Sequence, residues 1–167
     1  MAKKTSGKGA NVKKAIFAVA LLLGIGAICM LFVPAIKLGD NTTYTGLQAV
    51  FGYTEKTNAL ITTIETEMLK FSFMNLLTYI FVIAGIVFSL MNVLRKKPSV
   101  CVTFVSAALF IVSAVFFFLA PQFIVLADAT NALVTLGAEL SLGVGSIIGG
   151  ILAGLAGVCT VASLAVK

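Results

Sequence analysis

Four apolar stretches alternate with short polar ones along the chain, and the apolar ones have the length of membrane crossings. About 20 residues of helix span a hydrocarbon core, and the runs 15–36, 71–94, 99–120 and 142–166 all reach that length. Around them lie a basic start over 1–14, a polar loop over 37–70, the basic turn Arg95-Lys96-Lys97-Pro98 and a largely apolar loop over 121–141. The pattern predicts an all-α membrane protein: one four-span domain over 15–167, folded as a four-transmembrane-helix bundle behind a basic tail.

Within the runs, small and polar residues recur at helical spacing. At 100° per residue the fourth run splits by size. Gly143, Gly145, Ser146, Gly149, Gly150, Ala153, Gly154, Ala156 and Gly157 share one half of the circumference, and Val144, Ile147, Ile148, Ile151, Leu152, Leu155 and Val158 share the other. In water each helical glycine costs about 0.8–1 kcal/mol relative to alanine, so the segment makes sense where lipid enforces helicity and close approach is useful. The row Gly145, Gly149, Ala153, Gly157, with Gly150 and Gly154 beside it, is the candidate helix-packing surface. It is broad enough for two neighbours. The second run carries Asn75, Thr78, Tyr79, Gly85, Ser89 and Asn92 as an intramembrane polar stripe that should turn inward. The third offers Thr103, Ser106, Ala107, Ser113 and Ala114, and the first Ala20, Gly24, Ala27 and Ala35. Pro34 and Pro121 are expected to kink or end the helices they close.

The loop over 37–70 divides in two. Its first half sets turn formers, Gly39-Asp40-Asn41, Gly46 and Gly52, around Thr, Tyr, Val and Phe, which predicts a short β-hairpin. Its second half predicts a helix capped by Asn58, with Leu60, Ile61, Ile64 and Met68 on one face and Glu67 paired with Lys70. No breaker precedes Phe71, so this helix should run into the second span and stand above the membrane. The loop over 121–141 is polar at Asp128, Asn131 and Glu139, and is expected to lie on the membrane surface or cap the bundle.

Composition agrees: 60% of residues are hydrophobic and 11% charged, against about 25% charged in soluble domains. The net charge of +6 would suit nucleic acid, but its distribution points elsewhere. Nine of the 12 basic residues fall in the start, the basic turn and the C-terminal lysine, and all six acidic residues fall in the two loops. By the positive-inside rule both termini are cytoplasmic and the loops lie outside, in a plasma membrane of the bacterial inner-membrane kind. The first run exceeds the length of a signal-peptide core, so an uncleaved first span is expected. The partner implied throughout is the lipid bilayer, not nucleic acid.

Candidate chemistry is sparse. There is no histidine, so His-based zinc sites, haem ligation and proton relays are out. No charged residue lies within a predicted span, as a proton-coupled exporter would need. Cys29, Cys101 and Cys159 sit in spans as packing groups, not as paired loop thiols. Asp40 and Asp128 invite comparison with the aspartate pair of four-span lipoprotein signal peptidases. However, Ala127-Asp128 lacks the preceding Asn of that motif, and Asp40 precedes the second span; it reads as a turn residue. No catalytic, cofactor-binding or metal site is expected.

With its strand-bearing first loop, smaller second loop and Gly46-Leu47, the chain resembles claudin-type tetraspan proteins in topology. The Trp and the two loop cysteines of that signature are absent, so the resemblance implies architecture alone. In its lysine-rich ends and short loops the chain is similar to small four-span proteins of bacterial inner membranes. Two functions follow. One is a non-enzymatic structural or interaction role through the loops and the glycine-rich fourth helix, with a membrane-protein partner or a homo-oligomer. The other is an oligomeric channel or small-solute pore.

Overall fold

The computed structural model describes residues 6–39, 42–59, 62–95, 98–135, 137 and 139–166. The expected Asp40 turn, Asn41, Leu60, Ile61, Lys96, Lys97 and the first tail lysines lie outside these. Four long helices carry the apolar runs: α1 (Ser6–Cys29), α3 (Phe73–Leu94), α4 (Val100–Phe118) and α6 (Val144–Ala165). Asn11–Phe32, Phe73–Leu94, Val100–Phe118 and Val144–Ala165 are long and apolar enough to cross a membrane. The chain is therefore a mostly helical membrane protein, with four such helices among the described residues.

The helices form a square. α1 packs on α3 and α6, and α4 packs on α3 and α6. Residues buried on α3 include Asn75, Thr78, Val82, Gly85, Ser89 and Asn92, at intervals alternating between three and four. Thr103, Ser106, Phe110, Ser113 and Phe117 on α4 keep the same rhythm, as do Ser146, Gly149, Ala153, Ala156, Thr160 and Ser163 on α6. A mean repeat of about 3.5 residues keeps one seam facing its neighbours as helices coil around each other.

The seam is filled in an unusual way. Serine, threonine, asparagine, alanine and glycine are inside, whereas Leu22, Ile83, Val87, Phe104, Ile111, Ile151, Leu155 and Val158 are exposed around the girth. Lipid tails solvate those side chains as well as a core would, so nothing drives them inward. Phe110 is the main exception. It is wholly buried, and a Cβ added to Gly24 of α1 or Gly85 of α3 would lie 3.0 Å from its ring. On its α6 side, a Cβ on Gly157 would come 3.4 Å from the Phe110 Cβ. One phenyl ring is thus seated against glycines of two helices and beside a third.

At the end of the bundle where α1 and α4 finish and α3 and α6 begin, the chain forms a cap. It comprises β1 (Pro34–Leu38), β2 (Thr42–Thr45), α2 (Gly46–Phe51), β3 (Tyr53–Ala59), β4 (Thr62–Lys70), β5 (Val125–Leu126), α5 (Asp128–Thr135) and β6 (Leu140–Leu142). Two three-stranded antiparallel sheets result, ordered β2-β1-β6 and β3-β4-β5. Each joins the two loops. β1 follows α1 and pairs with β6 just before α6, while β4 runs into α3 and pairs with β5 just after α4. Gly143 makes the first junction close: its N–H donates to the Ala35 carbonyl at 2.8 Å, and a Cβ there would lie 2.5–2.8 Å from the Pro34–Ile36 backbone. At the second junction the Ser72 hydroxyl donates to the Phe123 carbonyl at 2.5 Å and accepts from the Asn75 N–H at 3.3 Å.

Three expectations need correction. The amphipathic helix from Asn58 to Lys70 is instead the β3–β4 hairpin, so the second span does not project as a helix. Its Thr-rich sequence is β-branched and stiff at χ1, and partners on both sides of β4 decide for strand. Glu67 and Lys70 do not pair along a helix; Glu65 pairs with Lys56 across the hairpin at 2.6 Å. The first span does not reach Ile36. Its α-helix stops at Cys29, a 3-10 turn covers Met30–Phe32, and Pro34 opens β1. The fold is consequently not all-α: a β1–β2 hairpin is present in the first loop, but within two sheets.

Candidate functional site

The polar stripe of α3 is buried along its length. Toward the end remote from the cap, the Asn92 amide donates to the Thr103 hydroxyl at 3.1 Å and accepts the Ser99 N–H at 3.1 Å, closing the turn between α3 and α4. One turn up, Ser89 and Ser106 share a 2.8 Å bond, and Ser106 also donates to the Gly85 carbonyl. Near the cap, the Asn75 amide reaches the Ala49 carbonyl of α2 at 3.4 Å. Thr78 bonds back to the Met74 carbonyl of its own helix, and Tyr79 packs edge-on against Phe117 at 5.3 Å. Lone polar groups at this depth would be costly, and pairing removes that cost.

The small face of α6 turns inward. Gly145, Gly149, Gly150, Ala153 and Gly157 are buried, and Gly154 is half-buried. What fills these gaps is aromatic. A Cβ on Gly149 would lie 2.8 Å from the Phe117 ring, and one on Gly150 would lie 2.9 Å from the Phe118 ring. Gly145 instead faces the backbone at Met30, Val33 and Pro34, while a Cβ on Gly154 would meet only Ala114 at 3.8 Å. The face serves α4 on one side and, through Gly145, the turn after α1 on the other, while Leu152, at the edge of the larger half, lies against Gly26 of α1. The sequence reading passed over Phe110 and Phe117, seven residues apart on α4, because the glycines they pack against lie on other helices.

Little room is left within. Under the cap, Asn75, Thr78, Tyr79, Ser146 and Phe117 enclose, with Ala35, Ile36, Gly46, Ala49 and Ala120, a cavity of about 10 Å³. That is about the space of one water molecule.

The cap holds the open site. Thr42, Thr43 and Tyr44 of β2, Gln48 of α2, and Tyr53 and Glu55 of β3 line a cleft of about 330 Å³. Local chemistry positions each wall. Thr45 and Gln48 form a capping box, with Thr45 N–H donating to Gln48 Oε1 at 2.9 Å and Gln48 N–H to Thr45 Oγ1 at 3.3 Å. Gly52, at φ +89°, lets the chain turn from α2 into β3, where a Cβ would lie 2.7 Å from the Leu69 carbonyl oxygen. Strand alternation then puts Tyr53 and Glu55 on one face. The rings of Tyr44 and Tyr53 lie 6.0 Å apart at 58°.

Tyr44 is 2% exposed, and among the described residues its hydroxyl is the one buried side-chain polar atom without a hydrogen-bond partner. Burial, then the nearby Glu55 carboxylate and the Tyr53 phenol, push its pKa above the ordinary value. The sequence reading passed over this cleft, because Tyr44, Tyr53 and Glu55 come together only when the sheets pack. Among the described residues no group of His, Cys, Asp and Glu is arranged to hold a metal ion, and Cys29, Cys101 and Cys159 are free. No family model, curated protein or solved structure matches this chain.

Proposed function

We propose that this is a non-enzymatic integral membrane protein whose sheet cap, held outside the membrane, recognises a partner while the four-helix bundle serves as its anchor. One contrast carries the reading: the bundle interior is paired and nearly filled, whereas the cap holds an open polar cleft of about 330 Å³. Pockets with a few convergent polar groups are where ligands bind. Charge supports the orientation. Lys13, Lys14 and Arg95 lie toward the end remote from the cap, and Glu55, Glu65, Glu67, Asp128 and Glu139 belong to the cap. Both termini are then cytoplasmic and the cap extracytoplasmic, in a plasma membrane of the bacterial inner-membrane kind.

The broad small face of α6 serves neighbours within one chain, so assembly into a pore is not required to bury it. Two measurements test the proposal. In a background with Cys29, Cys101 and Cys159 replaced by Ala, Ser141→Cys should react with a membrane-impermeant maleimide from outside the cell; protection there with labelling from inside would reverse the topology. The purified chain in proteoliposomes should pass neither ions nor small solutes, and a reproducible flux would favour a channel.

A further inference from the structure

We infer that α2 is an interfacial helix: its open face, Leu47 and Phe51, is immersed in the edge of the bilayer's hydrocarbon, so that the cap is seated on lipid as well as on the bundle. The partner of this face is phospholipid of the membrane that the bundle crosses. This goes beyond the recognition role proposed above and does not rest on it.

The depth of α2 follows from what fastens it. At its start the Gly46 N–H donates to the Val33 carbonyl at 3.3 Å, and a Cβ on Gly46 would lie 3.0 Å from the Leu31 Cα. At its end the Val50 carbonyl accepts the Ser72 N–H at 2.9 Å. Leu31 belongs to the membrane-length segment Asn11–Phe32, and Ser72 is the N-cap of the segment Phe73–Leu94. α2 therefore lies across the α1–α3 pair, level with the turn that ends α1 and with the start of α3. Charge resumes only at Lys37, beyond Val33, and at Lys70, before Ser72. From Asn41 to Thr54 the chain carries none.

The face that α2 leaves open is apolar. Gly46, Ala49 and Val50 are buried, whereas Leu47 is 41% and Phe51 61% exposed, four residues apart on one side of the helix. Phe32, Phe71 and Phe73, at the adjoining ends of the spans, are exposed as well. The lipid-facing girth of α1 and α3 thus continues onto α2, and a joined apolar surface of this kind marks an interface. The backbone gives a second, independent indication. A helix that meets hydrocarbon has to satisfy its terminal polar groups within the protein. The Gly46 and Gln48 N–H groups donate to the Val33 carbonyl and to Thr45 Oγ1, and the Gln48 and Val50 carbonyls accept from Gly52 and Ser72. An amphipathic helix with its apolar side sunk into the acyl boundary meets both conditions.

The chain has no tryptophan, so a single introduced one reports its own surroundings. Phe51→Trp in the full chain is compared with Ile83→Trp on the exposed girth of α3 and with Glu65→Trp on β4, in phosphatidylcholine vesicles. The quenchers are bromine on the lipid acyl chains and aqueous iodide supplied on both sides of the membrane. Phe51→Trp should lose most of its emission to bromolipid and little to iodide, as Ile83→Trp should, and Glu65→Trp should do the reverse. Bromine near the headgroup end of the acyl chain should quench Phe51→Trp more than bromine near the methyl end, and Ile83→Trp should show the opposite order. Leu47→Trp, one turn away, should repeat the Phe51→Trp result and guards against a local distortion. Iodide quenching equal to that of Glu65→Trp would put the face in water and overturn the inference. Protection from both quenchers would mean that a second copy of the chain or another protein covers the face, and would overturn it equally. Neither result bears on whether the cleft above takes a partner, so the inference can fail while the recognition role stands.

Discussion

The bundle and the cap solve opposite packing problems with one chain. Inside the bundle are Ser89, Asn92, Thr103, Ser106 and a row of glycines, and outside are Ile, Val, Leu and Phe. In the cap the order is reversed: Leu38, Tyr44 and Leu69 are buried between the sheets and Lys56, Glu55 and Glu65 are exposed. The surroundings account for the inversion. Water drives apolar groups together in the cap, whereas in lipid only packing contacts and hydrogen bonds distinguish one helix face from another. Polar side chains are therefore cohesive in the bundle, and an unpartnered one is conspicuous in the cap.

The contrast is most directly broken at Phe110. Phe110→Ala removes the ring that fills the spaces beside Gly24 and Gly85. It should destabilise the chain by about 3 kcal/mol, the low end for buried Phe→Ala because transfer from water contributes little in lipid. Thermal unfolding in detergent checks this, and an unchanged midpoint would mean that the ring is not central to the packing.

A smaller effect, about 1 kcal/mol, is expected for Asn92→Leu, which leaves the Ser99 N–H without its side-chain acceptor and removes the donor to the Thr103 hydroxyl, itself still bonded to the Ser99 carbonyl. The same chemistry on the cap surface should matter less, so Glu65→Gln, which breaks the exposed Lys56 pair, should cost no more than about 0.5 kcal/mol. Equal losses in chemical denaturation would erase the distinction between the two regions.

Two glycines on α6 sharpen the packing side. Gly149→Ala places a methyl group against the Phe117 ring and should destabilise, whereas Gly154→Ala meets ordinary contact distance. The latter should be neutral or stabilising by up to about 1 kcal/mol through helix propensity. Opposite signs in paired melting curves are the expected outcome.

The smallest change should come at Tyr44. Tyr44→Phe removes an unpartnered hydroxyl and should alter stability at neutral pH by no more than about 0.5 kcal/mol. It should matter more in alkali. Because the folded pKa is raised, the folded state holds its proton more tightly than the unfolded one. The resulting stability is complete below the unfolded value of about 10 and is lost as pH rises from there through the folded value. Circular dichroism from pH 9 to 12 should show less alkaline loss in Tyr44→Phe than in the parent chain.

Much of the bundle was legible because lipid makes helices local: with no water to satisfy the backbone, each apolar run must bond within itself, and its length alone marks a span. Asn75, Ser89 and Asn92 recur at helical spacing in the sequence, and the structure has them buried on α3. The hairpin at β3 and β4 was misread. Its residues also fit an amphipathic helix, and its partners are β5, far along the chain, and the first-loop elements packed beside it.

What the sequence by itself determined is the set of four spanning helices and the separation of charge between their ends, both consequences of transfer between water and hydrocarbon. Only the tertiary structure decided that β1 joins β6 and β4 joins β5, that Phe110 fills glycine gaps on other helices, and that Tyr44, Tyr53 and Glu55 share one cleft. The reason is that strand pairing and aromatic seating depend on residues far apart in sequence, and their free energy is gained only once the helices that carry them have met.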